Sequence, residues 1–186
     1  MNLRIRPAIT TDAEAIAFIG RQSFTETFGA LFINKDDMIN YLMSTYSRPR
    51  VESSLKKSGN IYFLGMVDNQ PAGFAKLKIN SSHPAIVKTS QCELQRIYVL
   101  NEFHGCGIAQ NLMTAIVEEA KKTRTECLWL DVHIHNERAI KFYIRNGFSK
   151  AGDHRFTIGS QEFLYYVMAL DLATKFYQLS APFQKT

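Results

Sequence analysis

The stretch IYVLNEFHGCGIAQNLM, from Ile97 to Met113, passes from a strand-like segment through two glycines one residue apart into a helix-like segment. Gly105 and Gly107 leave the backbone bare where a helix N-terminus points its free N–H groups. Bare donors at such a corner suit an anion, most often a phosphate. A plain tight turn has the same local pattern, so the rest of the chain must decide between the two. Two common phosphate loops are ruled out by their own requirements. The dinucleotide fingerprint needs G-x-G-x-x-G with an acidic residue ~20 positions on, and Gln110 stands where its third glycine would be. A Walker-type loop needs G-K-[ST], which the sequence does not contain.

The elements around this junction define the fold class. LRIRPAI alternates and reads as a strand ending near Pro7. TTDAEAIAFIGRQSFTETF follows as a helix, capped at Thr11 or Asp12, with Ile16, Ile19, Phe24 and Phe28 at helical spacing. KDDMINYLMSTYS reads as a second helix stopped before Pro49, and VESSLKKSG as a short third one ending at Gly59. NIYFLGMVDNQPAGFAKLKI holds two apolar runs around Asp68-Asn69-Gln70-Pro71, a hairpin signal. Ile79 to Gln91 is polar and reads as a loop. CELQRIYV is a strand, IAQNLMTAIVEEAKK an amphipathic helix, and ECLWLDV an apolar interior strand. NERAIKFYIRNG is a helix with Asn136 as its cap and Gly147 past its end. Strands around FSKAGDHRF and EFLYYVMAL close the chain. The sum is a mixed sheet flanked by helices, an α/β chain whose hairpins do not repeat βαβ. Its G-x-G sits at the sheet edge where ligands of such folds bind.

A chain of 186 residues suffices for one well-buried domain. No apolar run approaches the ~20 residues of a membrane span, and MNLRIRPAIT has no apolar signal core. The expectation is therefore a cytoplasmic protein with no membrane partner. Cys92, Cys106 and Cys127 are an odd set without C-x-x-C spacing, as reduced thiols would be. The net charge of +5 is scattered, with KKTR at Lys121 to Arg124 the densest cluster. Nucleic-acid binding wants a basic stripe with stacked aromatics, so no nucleic-acid partner is expected. A mild positive bias suits a small anionic ligand, or is simply a solvated surface.

Two segments, LQRIYVLNEFHGCGIAQNLM and LWLDVHIHNERAIKFYIRNGF, resemble the signature stretches of the GNAT superfamily of N-acetyltransferases. The first is similar to the family's strand, its [Q/R]-x-x-G-x-[G/A] loop and following helix. The second is similar to its strand, an Asn, a helix bearing A-I-x-F-Y and a closing G-F. With the element order, the resemblance covers Met1 to about Leu170 as one domain, leaving 171–186 as a C-terminal extension. FTETF, LQRIYV and NERAIKFY look most like the polyamine (spermidine/spermine) acetyltransferases of the PaiA type. The implied fold is the GNAT acyl-CoA N-acyltransferase fold, with a central twisted mixed sheet. The implied activity is transfer of the acetyl group of acetyl-CoA to a primary amine by direct attack, without an acyl-enzyme. A peptide N-terminus or a lysine are alternative acceptors. A module that binds acetyl-CoA without turnover is the alternative from another class. The resemblance makes a homodimer a possible assembly.

The resemblance also assigns residues. The pyrophosphate of acetyl-CoA would lie on the N–H groups of His104, Gly105, Cys106, Gly107, Ile108 and Ala109. His104 departs from the family's Gln or Arg, which leaves its backbone N–H serviceable and its side-chain contact in doubt. The pantetheine arm would pair with the backbone of Ile97, Tyr98 and Val99. Asn136 would contact the coenzyme, Tyr143 its sulfur, and Arg145, with Arg138 and Lys141, its remaining phosphate. Asn136 is also a helix cap, Tyr143 also a candidate core aromatic, and Cys106 also a small filler. A thiol has a reference pKa near 8.5 and a tyrosine near 10, so a hydrogen bond from Tyr143 to the departing thiolate suffices as acid catalysis. Glu93, the nearest carboxylate on the cofactor strand, is either the base for the amine or a surface strand residue. Its face is expected to be that of Gln95 and Ile97. Arg96 either holds a carboxylate or lies on the sheet surface. Phe24, Phe28, Phe32 and Tyr41 form either an acceptor wall or a core. His133 and His135 share a strand face, and His104 or His154 could join them, but two ligands do not make a metal site.

Overall fold

A computed structural model describes residues 1–173 of the chain. The strands are β1 (Leu3–Pro7), β2 (Asn60–Val67), β3 (Gln70–Lys78), β4 (Gln91–Val99), β5 (Cys127–His133), β6 (Ser149–Ile158) and β7 (Gln161–Asp171). The helices are α1 (Ala13–Phe28), α2 (Lys35–Tyr46), α3 (Arg48–Leu55), α4 (Ile108–Lys122) and α5 (Glu137–Arg145). The expected extension from 171 onward lies, beyond its first three residues, outside the described residues. The expected α/β mixed sheet is present, and the elements come in the expected order.

The strands form one seven-stranded sheet in the order β1-β2-β3-β4-β5-β7-β6, antiparallel except between β4 and β5. The sheet separates two apolar layers. On one face Leu112, Met113, Ile116 and Ala120 of α4, with Tyr143 of α5, pack on Leu77, Cys92, Leu94, Leu128 and Leu130. On the other, Ile16, Ile19 and Phe24 of α1, Leu42 and Tyr46 of α2 and Val51 of α3 cover Leu64 and Phe74. Burying such side chains is worth about 1.5–3 kcal/mol each.

Pro49 marks the end of the second helix, as expected, and it also lies in the first turn of α3, which opens at Ser47. A proline's missing N–H costs nothing there, because a first-turn N–H has no helical acceptor. The third helix is therefore shifted toward the N-terminus relative to VESSLKKSG.

Two irregularities in β4 open a space beside it and turn its side chains. Pairing with β5 is confined to Gln91–Glu93 against Cys127–Trp129. Beyond that point β4 pairs only with β3, and β5 only with β7, so the two strands part. The register to β3 also slips, with Leu94 opposite Leu77 but Arg96 opposite Lys76. Gln95 is thus an extra residue, a bulge that bends the strand. The bulge overturns one expectation. Cys92, Leu94, Ile97 and Val99 pack on the α4 side, so Glu93 lies on the opposite face from Ile97, with Arg96 and Tyr98.

Gly20 lets α2 approach α1, since a Cβ there would overlap the ring of Tyr46. Gly20→Ala should lower unfolding free energy by about 1–3 kcal/mol from overpacking, despite the ~1 kcal/mol that alanine gains in a helix. Denaturant titration reads it, and an unchanged midpoint would show that Tyr46 can move without cost.

Candidate active site

The gap between β4 and β5 opens into a cavity of about 980 Å³. At one end is the glycine corner. A turn at Asn101–Phe103 leads into Gly105 and Gly107, both at φ 85°, a left-handed conformation that side chains resist. A Cβ built on Gly105 meets nothing within 4 Å, so the space above that peptide is open. Gly107 caps α4, and the buried Ile108 side chain pins the first turn to the core. The N–H groups of Ile108, Ala109 and Gln110 have no acceptor within the helix. The corner therefore has the donors and the room that a diphosphate requires.

His104 spans this corner. Its Nε2 lies 3.0 Å from the Val99 carbonyl, and Arg138 donates to its Nδ1 at 2.7 Å. An acceptor at Nδ1 and a donor at Nε2 describe the neutral ring. Its backbone N–H, expected to serve the pyrophosphate, donates instead to the Asn101 carbonyl at 3.0 Å, so both ring and N–H are occupied, and what His104 brings to the corner is Arg138. Cys106 does not line the cavity; its Sγ lies 2.8 Å from the Phe103 carbonyl. Only its backbone remains available to a ligand.

Along the gap edge, backbone direction separates the three expected strand contacts. The Leu100 N–H donates to the Ala72 carbonyl on β3. By strand alternation, the amide groups of Ile97 and Val99 point the other way, into the gap. Those of Tyr98 point toward β3, and its ring lines the cavity instead. Across the gap, Asn136 caps α5, its Oδ1 accepting from the Ala139 N–H at 3.2 Å. Tyr143, seven positions on, has its ring packed against Phe142 and Phe148 with only 8% of the residue exposed. It lines the cavity, and burial pushes its phenol above the ordinary value. Arg138 and Arg145 also line the cavity; Lys141 pairs with Glu137 instead.

The face under α1 and α2 forms the other half of the cavity. Glu93 accepts from Ser81 Oγ at 2.9 Å and lies 3.9 Å from Lys78 Nζ. Trp129 donates its indole N–H to the Ser81 carbonyl. Phe24, Phe28 and Tyr41 reach the wall, whereas Phe32 belongs to the core alone. Sequence reading missed Asp131 here, and with it the pairing of His154. Asp131 and His154 are joined at 2.6 Å, and Asp131 Oδ1 is buried without a partner among the described residues. No spacing rule links residues on β5 and β6. His133 and His135 do lie together, their ring centroids 5.5 Å apart, but neither His104 nor His154 joins them in a ligand cluster among the described residues. His133 is buried among Phe28, Phe163 and Tyr165, which lowers its pKa. His83, Asp131 and His154 are the set whose ligand atoms lie within 4.8 Å of one another.

Comparison with known proteins adds to this geometry. Residues 29–148 match the model of the acetyltransferase (GNAT) family. An uncharacterised N-acetyltransferase of Lactobacillus delbrueckii subsp. lactis is 28% identical over 76% of this chain and 81% of its own length. An uncharacterised N-acetyltransferase of Mycobacterium tuberculosis is 25% identical over 87% of this chain and 99% of its own length. Among solved structures, the PaiA N-acetyltransferase of Thermoplasma acidophilum, in complex with coenzyme A, superposes with a TM-score of 0.72. It is 20% identical, and the match covers 92% of this chain and 99% of that one. No helix among the described residues is long and apolar enough to cross a membrane.

Proposed function

The chain belongs to the acetyltransferase (GNAT) family and is an acetyl-CoA-dependent N-acetyltransferase, and from that premise we propose how its own residues divide the work on a primary amine. The observation that carries the proposal is that the glycine corner and the Tyr143 phenol share one cavity, joined by the unpaired edge of β4. N–H groups from Gly105 to Ala109 hold the pyrophosphate, and Arg138 and Arg145 lie beside it. The amides of Ile97 and Val99 pair with the pantetheine arm as a short β-strand would. The acetyl thioester then lies in the gap, between Tyr143 and the face that carries Glu93.

In the reaction the amine nitrogen bonds to the acetyl carbon, the carbon–sulfur bond breaks, and coenzyme A leaves as a thiolate. Tyr143 hydrogen-bonds the developing sulfur charge. Glu93, held by Ser81, takes the amine proton through water. Glu93→Gln should lower kcat/KM by about 10²-fold while the affinity for acetyl-CoA stays within about threefold. An unchanged rate would transfer the base role to the Asp131–His154 pair, whose 2.6 Å contact holds an imidazole at the same cavity.

Spermidine and spermine enter the acceptor panel as candidates through the likeness to the PaiA-type enzyme, beside amino acids and peptides. The activity itself is tested by incubating the protein with acetyl-CoA and a panel of polyamines, amino acids and peptides. Mass spectrometry should find an amine heavier by one acetyl group. Failure of every amine, with coenzyme bound, would favour a binding module over an enzyme.

A further inference from the structure

Arg96 is a guanidinium with no carboxylate within ion-pair distance among the described residues. Its Nε donates to the Tyr46 hydroxyl at 2.9 Å, one terminal nitrogen to the Gln95 carbonyl at 2.6 Å, and the other lies 3.5 Å from the Tyr41 hydroxyl. Tyr46 in turn donates to the Tyr98 hydroxyl at 3.2 Å. Each tyrosine oxygen in the group is therefore used as an acceptor. Left over are the O–H groups of Tyr41 and Tyr98 and the remaining guanidinium N–H groups. All of these are donors, and Arg96, Tyr41 and Tyr98 all line the cavity.

The cavity's own carboxylates are engaged elsewhere. Glu26 accepts from Gln22 and the Asn101 N–H, Glu93 from Ser81, and one oxygen of Asp131 from His154, its other oxygen having no partner among the described residues; none of the three pairs with Arg96. Lys76, the cross-strand neighbour of Arg96, lies outside the cavity lining, over the Tyr62 ring, and adds positive charge behind it. Its pKa falls to about 8, first through burial and then through Arg96. A half-buried cation with unspent donors is stabilised by an anion from outside, and a planar guanidinium fits a carboxylate through two parallel hydrogen bonds. A polyamine would bring further positive charge against it.

Resting on the acetyltransferase reading above, we propose that Arg96, Tyr41 and Tyr98 form a subsite for a carboxylate carried by the acceptor, so that the enzyme acetylates amines that bear a carboxylate, such as amino acids. The bulge at Gln95 places this subsite on the face of Glu93, opposite the core packing of Ile97. Arg96 is then a specificity-determining residue.

The test compares kcat/KM for α- and ω-amino acids, their carboxamides, the matching aminophosphonates and spermidine. At least one carboxylate should exceed its carboxamide by about tenfold or more, and Arg96→Gln should bring that ratio to near unity. Carboxamides or spermidine used as well as carboxylates would overturn the proposal. So would a variant that lowers carboxylate and carboxamide alike, or phosphonates preferred over every carboxylate. Should Arg96→Gln fail to fold, Tyr41→Phe should still narrow the ratio, and an unchanged ratio counts against the subsite. A reading independent of turnover comes from Trp129, the sole tryptophan, which lines the same cavity. With coenzyme A present, its fluorescence should respond to carboxylates at concentrations about tenfold below those of the carboxamides. Equal midpoints would overturn the subsite, whereas a carboxylate preference without any acetylated product would overturn the acetyltransferase reading instead.

Discussion

Tyr143→Phe is expected to lower kcat about 10²-fold with little change in the KM for acetyl-CoA. The ring is held by Phe142 and Phe148 beside α5 and its core packing survives in phenylalanine, so only the hydroxyl is lost. Among the described residues that hydroxyl makes no hydrogen bond, and it lines the cavity. The fold therefore gives it no structural task that would explain a large effect. Burial raises its pKa, so the phenol remains protonated throughout the physiological range. A raised pKa makes full proton transfer to a thiolate less favourable, so the role proposed for Tyr143 is a hydrogen bond in the transition state rather than a completed transfer. Two readouts check this role. Single-turnover rates should fall with kcat, and any loss of activity below pH ~10, the reference pKa of tyrosine, should belong to another group and persist in the variant. Unchanged single-turnover rates would remove Tyr143 from the chemistry.

Gly105→Val should weaken coenzyme A binding by about 10²-fold or more, the equivalent of losing one or two charge-assisted hydrogen bonds at about 1.5–3 kcal/mol each. A Cβ at this position meets no protein atom within 4 Å, so the new side chain grows into the space proposed for the pyrophosphate. Its folding cost is confined to a left-handed backbone, about 1–2 kcal/mol, which thermal melting can separate from the binding loss. Cys106→Ala, one residue on, provides the contrast. The Cys106 side chain is turned away from the cavity, so calorimetry should find coenzyme affinity within about twofold of the parent. Equal losses at both positions would mean that the loop needs general order rather than an open peptide at Gly105.

The parts legible in the sequence were those written in local pattern. Strand alternation, helical spacing, the cap at Asn136 and the stop at Gly147 placed the elements, and Gly105 and Gly107 marked the corner. Information that depends on strands meeting was not legible. The bulge at Gln95 leaves no signature in CELQRIYV, yet it reverses the face assigned to Glu93. The parting of β4 from β5, which creates the cavity, comes from pairing that stops at Glu93. The contacts of Ser81 with Glu93, and of His154 with Asp131, join a loop and a distant strand to the site, and sequence separation hides both. His104 shows a further limit. A departure from the family motif put its phosphate contact in doubt, but only the folded chain shows its ring held between Val99 and Arg138.

The most direct measurement is a crystal structure of the protein with coenzyme A. It should show pyrophosphate oxygens within hydrogen-bond distance, about 2.7–3.2 Å, of the N–H groups between Gly105 and Ala109. The thiol should lie within about one hydrogen bond of the Tyr143 hydroxyl. A coenzyme whose phosphates bind away from that corner, or whose sulfur lies outside the gap between β4 and β5, would contradict the account.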